Sequence, residues 1–496
     1  MSSLTLGIDV GSTSTKVVLA DPARGVLAQA SAPVELRSAH PGWAEADPGA
    51  WWTNVCALIP AVLASAEVSA ADVAAVACTG MVPAVLAVDK NGDPLRPAIL
   101  QNDARASAEI TELGAALPDV DFTATTGSAL TQQSVAPTLR WLARHEPSVW
   151  ADTAFVLGSY DWLAVALGAE PHVERNWALE SGLYALSDGA LLDVVVDAAG
   201  ITPAVLPKVV LPGTTAGKVS AAAASATGLR AGTPIVVGGA DHVLSAYAAG
   251  LAGPGDWLVK LGGAGDILAV TDEVLVDPRL YLDAHPQPGL WLPNGCMATS
   301  GSLIRWFASV SGGAPVDVLE AEAAAAEPAS LICLPYFLGE KSPLHDPDLR
   351  GAFLGLHLGH TRGDLYRAIL EAIAYGFRQH AAIFTERGIR LRAAARVSNG
   401  GSRSRIWKQI LADAIGVPLE PVLDRFPGSA VGAVLVAGVG AGLLPDWAAG
   451  EALVTIGDPV EPDLSLADRY GEAYSIYTDA ADALTGISHR LARRSS

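Results

Sequence analysis

The fold of this chain is indicated by its opening strand pair, residues 4–19, which read LTLGIDVGSTSTKVVL. Apolar residues alternate with small or polar ones from Leu4 to Val10, and this period of two predicts a strand with one buried face. Asp9 then points to the opposite face. Glycine and hydroxyl residues from Gly11 to Thr15 interrupt the pattern before Val17 resumes it. We therefore predict a strand, a small-residue turn and a second strand.

The same plan returns about half a chain later. Residues 257–261 are mostly apolar, Gly262 to Gly265 form a turn, and residues 266–270 continue as a strand. Two such copies predict two related domains, each presenting a hairpin tip to a shared cleft. We place the domains at 1–245 and 246–496 and allow for the last helix packing back on the first domain.

The predicted boundary region has its own pattern. Ile235 to Val237 indicate a strand, Gly238 and Gly239 a turn, and Asp241 to Ala249 a helix that ends at Gly250. Helical patterns alternate with short apolar strands between residues 50 and 230. The predicted fold class is therefore α/β.

Composition limits the classes of function. The chain has 496 residues and a formal net charge of −20, and half of its residues are apolar. Nucleic-acid binding relies on clustered lysine and arginine, so this balance argues against a nucleic-acid partner. A neutral small molecule fits better, and a bound nucleotide would need backbone amides and a metal ion to offset its charge.

The cysteines and the termini indicate a cytoplasmic protein. Four cysteines are scattered without metal-ligand or C-x-x-C spacing, which predicts reduced thiols. The amino terminus enters a strand pattern directly, without the basic and apolar stretches of a signal peptide. The most apolar segment, Ala430 to Leu444, is shorter than the ~18 residues of a membrane span, so we interpret it as a buried helix.

The two glycine turns are candidate phosphate sites. Residues without bulky side chains, here Gly11, Ser12 and Thr13 and later Gly262 and Gly263, let successive backbone N–H groups converge on an anion. The alternative is a pair of tight hairpins with no ligand.

Two aspartates are candidates for chemistry beside these turns. Asp9 could orient a hydrated Mg²⁺ on a triphosphate, or be a solvated strand residue. Asp241 could accept a proton from a sugar hydroxyl at the domain junction, or cap the helix that it begins. Local spacing does not decide between these roles.

Two further segments suggest ligand contacts. Gly400, Gly401 and Ser402 precede a helix and could admit an adenosine, or form an ordinary strand-to-helix turn. The stretch Gln101 to Arg105 combines an amide, a carboxylate and a guanidinium, which suits hydroxyl recognition or a surface salt bridge. Ten histidines show no metal-ligand spacing, and we interpret His242 as a packed helix residue.

Two common nucleotide folds are disfavoured. The chain has no Gly-x-x-x-x-Gly-Lys-Ser/Thr loop, which excludes a P-loop kinase on motif grounds. The glycine cluster at 262–265 returns to a strand rather than a helix, which disfavours a Rossmann dehydrogenase.

These features together resemble the FGGY carbohydrate kinase family, and within it the xylulokinase-like members, over nearly the whole chain. The segments that carry the resemblance are Gly7–Lys16, Pro41–Glu45, Gly239–Asp241, Gly339–Glu371 and Asn399–Asp413. It implies two actin-like, ribonuclease H-related domains around a nucleotide cleft, with ATP and Mg²⁺ as cosubstrates. It also implies phosphorylation of a terminal hydroxyl with Asp241 as the base.

The resemblance also assigns a sugar site. Met81, Asp103 and Arg105 occupy the positions of the family's substrate segments, with Asp241 beside them. Val82 stands where a histidine is usual, and Gln101 stands where a tryptophan is usual. Gly263 and Thr138 replace a hydroxyl residue and a lysine.

The resemblance ranks D-xylulose first as substrate, ahead of ribulose, erythritol and glycerol. A glycerol kinase would have an Arg-Glu pair in the sugar segment, where Thr79, Gly80 and Met81 stand instead. A second class, a non-catalytic actin-like ligand sensor, is the alternative. We expect a small sugar or polyol as partner, no nucleic acid and no membrane, and leave a homodimer open.

Overall fold

The computed structural model describes residues 3–423 and 428–495. Its strands are β1 (Leu4–Val10), β2 (Ser14–Asp21), β3 (Gly25–Pro33), β4 (Glu45–Ala46), β5 (Val73–Gly80), β6 (Leu86–Val88), β7 (Ala98–Ile99), β8 (Phe155–Leu157), β9 (Val173–Glu174), β10 (Val209–Val210), β11 (Thr215–Lys218), β12 (Pro234–Ala240), β13 (Trp257–Leu261), β14 (Gly265–Ala269), β15 (Tyr281–Ala284), β16 (Trp291–Met297), β17 (Ile332–Leu334), β18 (Ala352–Leu354), β19 (Ala395–Ser398) and β20 (Leu419–Pro421).

Its α-helices are α1 (Pro48–Ser65), α2 (Ser107–Ala116), α3 (Phe122–Thr126), α4 (Val135–His145), α5 (Pro147–Asp152), α6 (Ser159–Leu167), α7 (Arg175–Glu180), α8 (Asp193–Ala199), α9 (Ala221–Thr227), α10 (Asp241–Ala248), α11 (Gly301–Val310), α12 (Val316–Ala325), α13 (Arg362–Glu386), α14 (Arg405–Ile415), α15 (Gly428–Gly440) and α16 (Ala467–Ser495). Within the described ranges, no helix is both long and apolar enough to cross a bilayer.

The first large sheet contains six strands in the order β11, β12, β5, β1, β2 and β3. The central strand β5 runs parallel to β1 on one side and to β12 on the other. Parallel neighbours end at the same edge of a sheet. Asp9 near the end of β1 and Asp241 just after β12 therefore flank the end of β5.

The second large sheet repeats this plan in the order β15, β16, β14, β13, β19 and β20. The hairpin of β13 and β14 confirms the predicted second strand, turn and strand. β19 runs parallel to β13, as β5 runs parallel to β1. The chain therefore has the predicted mixed α/β fold with two related sheets.

The first strand is buried on both faces, so the prediction of one buried face is wrong for β1. The second face is covered by α15, which confirms the interpretation of this apolar segment as a buried helix. Thr5 Oγ1 donates a hydrogen bond of 3.1 Å to the carbonyl of Val434 in that helix. A methyl group at Gly7 would lie 2.1 Å from the carbonyl oxygen of Ala430, so a glycine is needed here.

The helix that packs back on the first domain is α15. It joins the hydrophobic core of the first sheet although it comes late in the chain. The last helix, α16, instead packs on the second core through Tyr470 and Tyr477. The hydroxyl groups of Tyr477 and Tyr336 lie 3.1 Å apart there. The domain boundary near residue 245 stays a prediction.

The junction differs locally from the sequence prediction. Gly238 and Gly239 lie inside β12 rather than in a turn. A methyl group at Gly238 would lie 1.8 Å from the carbonyl oxygen of Cys78, so glycine allows the close pairing of β12 with β5. The helix that follows, α10, begins at Asp241 as predicted.

Candidate functional site

A cavity of about 810 Å³ lies between the two large sheets. Both halves of the chain contribute to its wall, through the turn after β1, the start of α10, the β13–β14 hairpin and the end of β19. The polar side chains on the wall include Asp9, Ser12, Thr13, Lys16, Glu180, Asp241, His242, Lys260, Asp266, Asp283 and Asn399.

Asp9 lies at this cavity as a buried, ion-paired carboxylate. Lys16, its partner across the β1–β2 hairpin, donates a hydrogen bond of 3.0 Å to Oδ2, and Ser429 donates one of 2.9 Å to the same oxygen. Oδ1 is buried and has no hydrogen-bond partner among the described residues. Burial raises the pKa of Asp9, Lys16 opposes that shift, and Asp241 adds to it. The free oxygen is suited to a water or ammonium donor.

The turn after β1 forms one wall of the cavity. Gly11, Ser12 and Thr13 all line it, as the sequence predicted. The amide of Gly11 is used within the turn, where it donates 3.0 Å to the carbonyl of Ser14. Because the hairpin register pairs Val10 with Thr15, the intervening residues are held at the tip.

Asp241 is the first residue of α10 and faces the cavity with 38% of its side chain exposed. The N-cap position of α10 is held by Ala240, so Asp241 stands one residue inside the helix and the structure does not show it as the helix cap. The preceding strand is fixed by Thr79, whose hydroxyl donates 2.7 Å to the carbonyl of Gly239. Asp241 is thus rigidly placed but leaves its carboxylate open to a ligand.

The second glycine turn lines the cavity through Ala264, whereas Gly262 and Gly263 are half-buried and are not part of its wall. Their carbonyl oxygens accept hydrogen bonds from the backbone at the start of α11, Gly262 from Gly301 at 2.8 Å and Gly263 from Ser300 at 2.9 Å. The turn is therefore anchored to α11.

The third glycine segment also reaches the cavity only in part. Asn399 lines it, and Gly400, Gly401 and Ser402 continue behind it as a 3-10 turn. A methyl group at Gly401 would lie 2.4 Å from the ring of Trp407, so this glycine serves packing. Gly400 has open space around it.

The structure does not bring Met81, Asp103 and Arg105 onto the cavity wall. Met81 is buried, and Asp103 accepts hydrogen bonds from the backbone of Ala44 at 2.6 Å and from Arg105 at 2.7 Å. Arg105 also bonds Glu45 at 2.8 Å. The alternative of a salt-bridge cluster is closer to this arrangement, although the cluster is buried rather than on the surface.

Neighbours of the predicted sugar residues line the cavity instead. Val82 and Gln101 face it, together with polar residues that precede α4. These residues are Thr123, Ser128, Thr131, Gln133 and Ser134. In the stretch Gln101 to Arg105, the amide of Gln101 therefore faces the cavity, whereas the charged side chains of Asp103 and Arg105 point into the protein.

Sequence reasoning missed a cluster of three titratable side chains, Glu180, His242 and Asp283. The sequence predicts His242 to be a packed helix residue, whereas the structure places it on the cavity wall. Glu180 ends α7 and Asp283 lies in β15, so no local pattern connects them. Burial and the nearby Asp283 raise the pKa of Glu180.

Family comparison finds two matches along the chain. The N-terminal domain of the FGGY family of carbohydrate kinases matches residues 4–248, and its C-terminal domain matches residues 268–441.

Individual proteins match over nearly the full length. The crystal structure of xylulose kinase from Rhodospirillum rubrum is 42% identical, with a TM-score of 0.91 over 98% of this chain and 100% of that one. Xylulose kinase from Staphylococcus epidermidis is 27% identical over 96% of both chains. Autoinducer-2 kinase from Klebsiella pneumoniae is 30% identical over 96% of this chain and 94% of its own.

Proposed function

Because the chain belongs to the FGGY family of carbohydrate kinases, we propose that it transfers the γ-phosphoryl group of ATP to a terminal hydroxyl of D-xylulose. Family membership makes it an ATP-dependent carbohydrate kinase; the sugar and the residue roles are the proposal. The observation that carries it is that Asp241 and the turn Gly11–Thr13 face the same cavity between the sheets. A sugar and a triphosphate could meet there.

Asp241 is the proposed catalytic base. The sugar oxygen attacks the γ-phosphorus, the bond from that phosphorus to the bridging oxygen of ADP breaks, and the hydroxyl proton passes to the Asp241 carboxylate. Its open carboxylate at the start of α10 supports this role. The helix N-terminus also favours a negative charge at this position.

The phosphates of ATP are proposed to lie between the two hairpin turns. Gly11, Ser12 and Thr13 would contact them from the first sheet, and Gly262 and Gly263 would shape the second turn. Two of the three lysines on the cavity wall, Lys16 and Lys260, add positive charge at these hairpins in an otherwise acidic chain. Gly400, Gly401 and Ser402 are proposed to border the adenosine.

Mg²⁺ is the proposed metal partner of the nucleotide, with Asp9 as the residue that orients it. The buried free Oδ1 of Asp9 fits a hydrated cation, because Mg²⁺ keeps several waters and uses few carboxylates. When bound, Mg²⁺ would offset the charge of the triphosphate. Lys16 and Ser429 hold the carboxylate from its other oxygen.

D-xylulose is proposed because the Rhodospirillum and Staphylococcus relatives are named xylulose kinases. Val82, Gln101 and Gln133 are uncharged parts of the cavity wall, which suits a neutral sugar. Met81, Asp103 and Arg105 would then support the sugar pocket from behind. A sugar acid would meet the carboxylates of Glu180 and Asp283.

We further propose a cytoplasmic location, because ATP is the phosphoryl donor and all four cysteines are free thiols. A homodimer stays a prediction.

The test combines a substrate panel with one substitution. ATP-dependent ADP release should be fastest with D-xylulose among ketoses, aldoses, polyols and aldonates. Asp241→Asn keeps the shape of the side chain but removes the base, so turnover should fall roughly 10²- to 10⁴-fold with little change in sugar affinity. Asp152→Asn, an exposed aspartate of α5, is the matched control.

Two outcomes would contradict the proposal separately. Near-normal turnover in folded Asp241→Asn would leave the base unassigned. Faster turnover with another sugar would replace D-xylulose but leave the kinase class intact.

A further inference from the structure

The ring of His242 lies between two carboxylates. Its Nε2 is 2.7 Å from Asp283 Oδ2, and its Nδ1 is 3.7 Å from Asp241 Oδ1. Asn294 donates a hydrogen bond of 2.7 Å to the same oxygen of Asp283, so this oxygen is an acceptor. Nε2 must therefore carry the hydrogen that lies between it and Asp283.

This arrangement favours the protonated ring. A neutral ring with its hydrogen on Nε2 would turn the lone pair of Nδ1 toward the carboxylate of Asp241, whereas the imidazolium presents an N–H group there. Burial alone would lower the pKa of His242, but Asp283, Asp241 and Glu180 raise it well above its ordinary value. These three carboxylates lie beside the ring and come from three different elements, β15, α10 and α7.

Asp283 comes from the second sheet, yet its place beside α10 is fixed. Its neighbour Ala284 is bound through both backbone groups to the side chain of Asn176 in α7, with distances of 2.7 and 3.0 Å. Leu179, Leu282 and Trp291 form a small apolar cluster at the same contact. The carboxylate that holds His242 therefore reaches it across a fixed contact between the two halves of the chain.

We infer that His242, held by Asp283 across the domain junction, is a positioning residue for the carboxylate of Asp241. The inference rests on the proposed role of Asp241 as base. The imidazolium keeps this otherwise open carboxylate in one orientation until it takes the proton of the sugar hydroxyl. Asp283 acts on Asp241 only through the ring.

Steady-state kinetics test the pairing. His242→Asn and Asp283→Asn should each lower kcat roughly tenfold to a hundredfold, the range seen when a group that orients a functional residue is removed, with KM for ATP unchanged. The kcat of the double variant should be no lower than that of the less active single variant, because both substitutions act through the same contact. His489→Asn is the matched control, since His489 makes an equally short pair, 2.6 Å, with Asp346 away from the cavity wall.

The pH dependence separates positioning from mere folding support. Asp283→Asn keeps an acceptor for Nε2 but removes the negative charge that favours the protonated ring. His242 should then lose its proton at a lower pH, and the alkaline fall of kcat should move to lower pH with it. Nitrogen-detected NMR of the labelled histidine ring should show the same displacement in the folded variant.

The outcomes distinguish this inference from the proposed function. If Asp241→Asn is inactive while His242→Asn and Asp283→Asn keep normal kcat and pH profile, the inference is wrong and the base assignment stands. If Asp241→Asn remains active, the base assignment itself fails. If Asp283→Asn does not fold, the protonation state of His242 in the wild-type protein is measured by the same NMR experiment. A neutral ring at pH 7 overturns the inference, and an imidazolium supports it.

Discussion

Asp9 and Asp241 lie at one sheet edge but have different surroundings. The side chain of Asp9 is 3% exposed and paired with Lys16, whereas that of Asp241 is 38% exposed and lies one residue after the N-cap position of α10. A buried, partly satisfied carboxylate suits the orientation of a cation. An exposed carboxylate suits proton transfer from a substrate that enters the cavity.

The first prediction concerns Asp9. Asp9→Asn removes the charge that would orient hydrated Mg²⁺, so kcat should fall about tenfold or more and half-maximal activity should need more Mg²⁺. A magnesium titration of the activity measures this. Ser429→Ala is the control, because it removes one hydrogen bond to Asp9 and leaves the charge. An unchanged magnesium titration in Asp9→Asn would contradict the role.

The second prediction concerns Glu174, which is fully buried and accepts hydrogen bonds from the hydroxyl of Tyr160 and the backbone of Asn176. Burial raises its pKa from 4.5 to about 7. The folded chain therefore binds this proton more tightly than the unfolded chain does. The contribution to stability is complete below pH 4.5 and is lost as the pH rises through about 7.

Glu174→Gln should accordingly flatten the pH dependence of stability. The decrease in the free energy of unfolding between about pH 5 and pH 8 should be smaller by about 1–3 kcal/mol than in the wild type. Denaturant unfolding at several pH values measures it. Glu472→Gln, an exposed glutamate of α16, should leave the dependence unchanged. If the free energy of unfolding of Glu174→Gln depended on pH as that of the wild type does, the Glu174 carboxyl would not be the source of this dependence.

The site was predictable where residues follow a strand and a glycine turn. Asp9 lies near the end of a strand just before a glycine turn, Asp241 directly follows a glycine-containing strand, and the structure places both on the cavity. Asp103 was placed by its neighbourhood in the sequence, but alternate residues of a short loop point in different directions, and its partner Arg105 lies inside. Glu180 and Asp283 come from separate elements, so only the folded chain brings them together.

At the scale of elements, α15 determines how the first sheet is closed. It packs on β1 and β5 of that sheet and closely on α10. Glycines make both approaches possible. A methyl group at Gly432 would lie 2.1 Å from the carbonyl oxygen of Leu244 in α10, as one at Gly7 would meet the backbone of α15.

The third prediction tests this close contact. Gly432→Ala should lower the free energy of unfolding by about 2 kcal/mol or more, because the added methyl group forces two helices apart. Gly486→Ala in α16 is the matched control: it has open space and should stabilise the chain by roughly 0.5–1 kcal/mol. Thermal unfolding midpoints should move in opposite directions. A stabilised Gly432→Ala would show that the helices are less tightly packed than described.

The elements were predictable from local periodicity, and their long-range packing was not. The hairpins at residues 4–19 and 257–270 follow from alternating residues and glycine turns. The apolar sequence of α15 predicts that the helix is buried, but it does not show which sheet the helix packs against. Gly238 and Gly239 have the residue types of a turn, yet their small size serves strand pairing.

At the scale of the whole molecule, the two halves are not independent structural units, because elements from each pack on the other. α15 is separated from the first sheet by most of the second half of the chain, yet it shares a buried cluster with Val18 and Ala20. The contact of Asn176 with Ala284 adds a polar link between the halves. The cleft therefore lies between units that are tied at several points.

The fourth prediction follows from this tie. A fragment of residues 1–256 lacks α15 and exposes one face of its first sheet, so it should not unfold cooperatively and should bind a hydrophobic dye. Joining residues 428–444 to it through a glycine-serine linker should restore a cooperative transition. Cooperative unfolding of the unsupplemented fragment would contradict the structural role of α15.

Because α15 lies late in the chain, it is synthesised long after the strands that it covers. A ribosome adds about 5–20 residues per second, so roughly 10 to 40 s separate the end of α10 from the end of α15. During that interval the nascent first sheet carries an uncovered apolar face. Apolar surface that stays exposed during synthesis makes a growing chain prone to aggregation, so the distance of α15 along the chain lengthens the period of that risk.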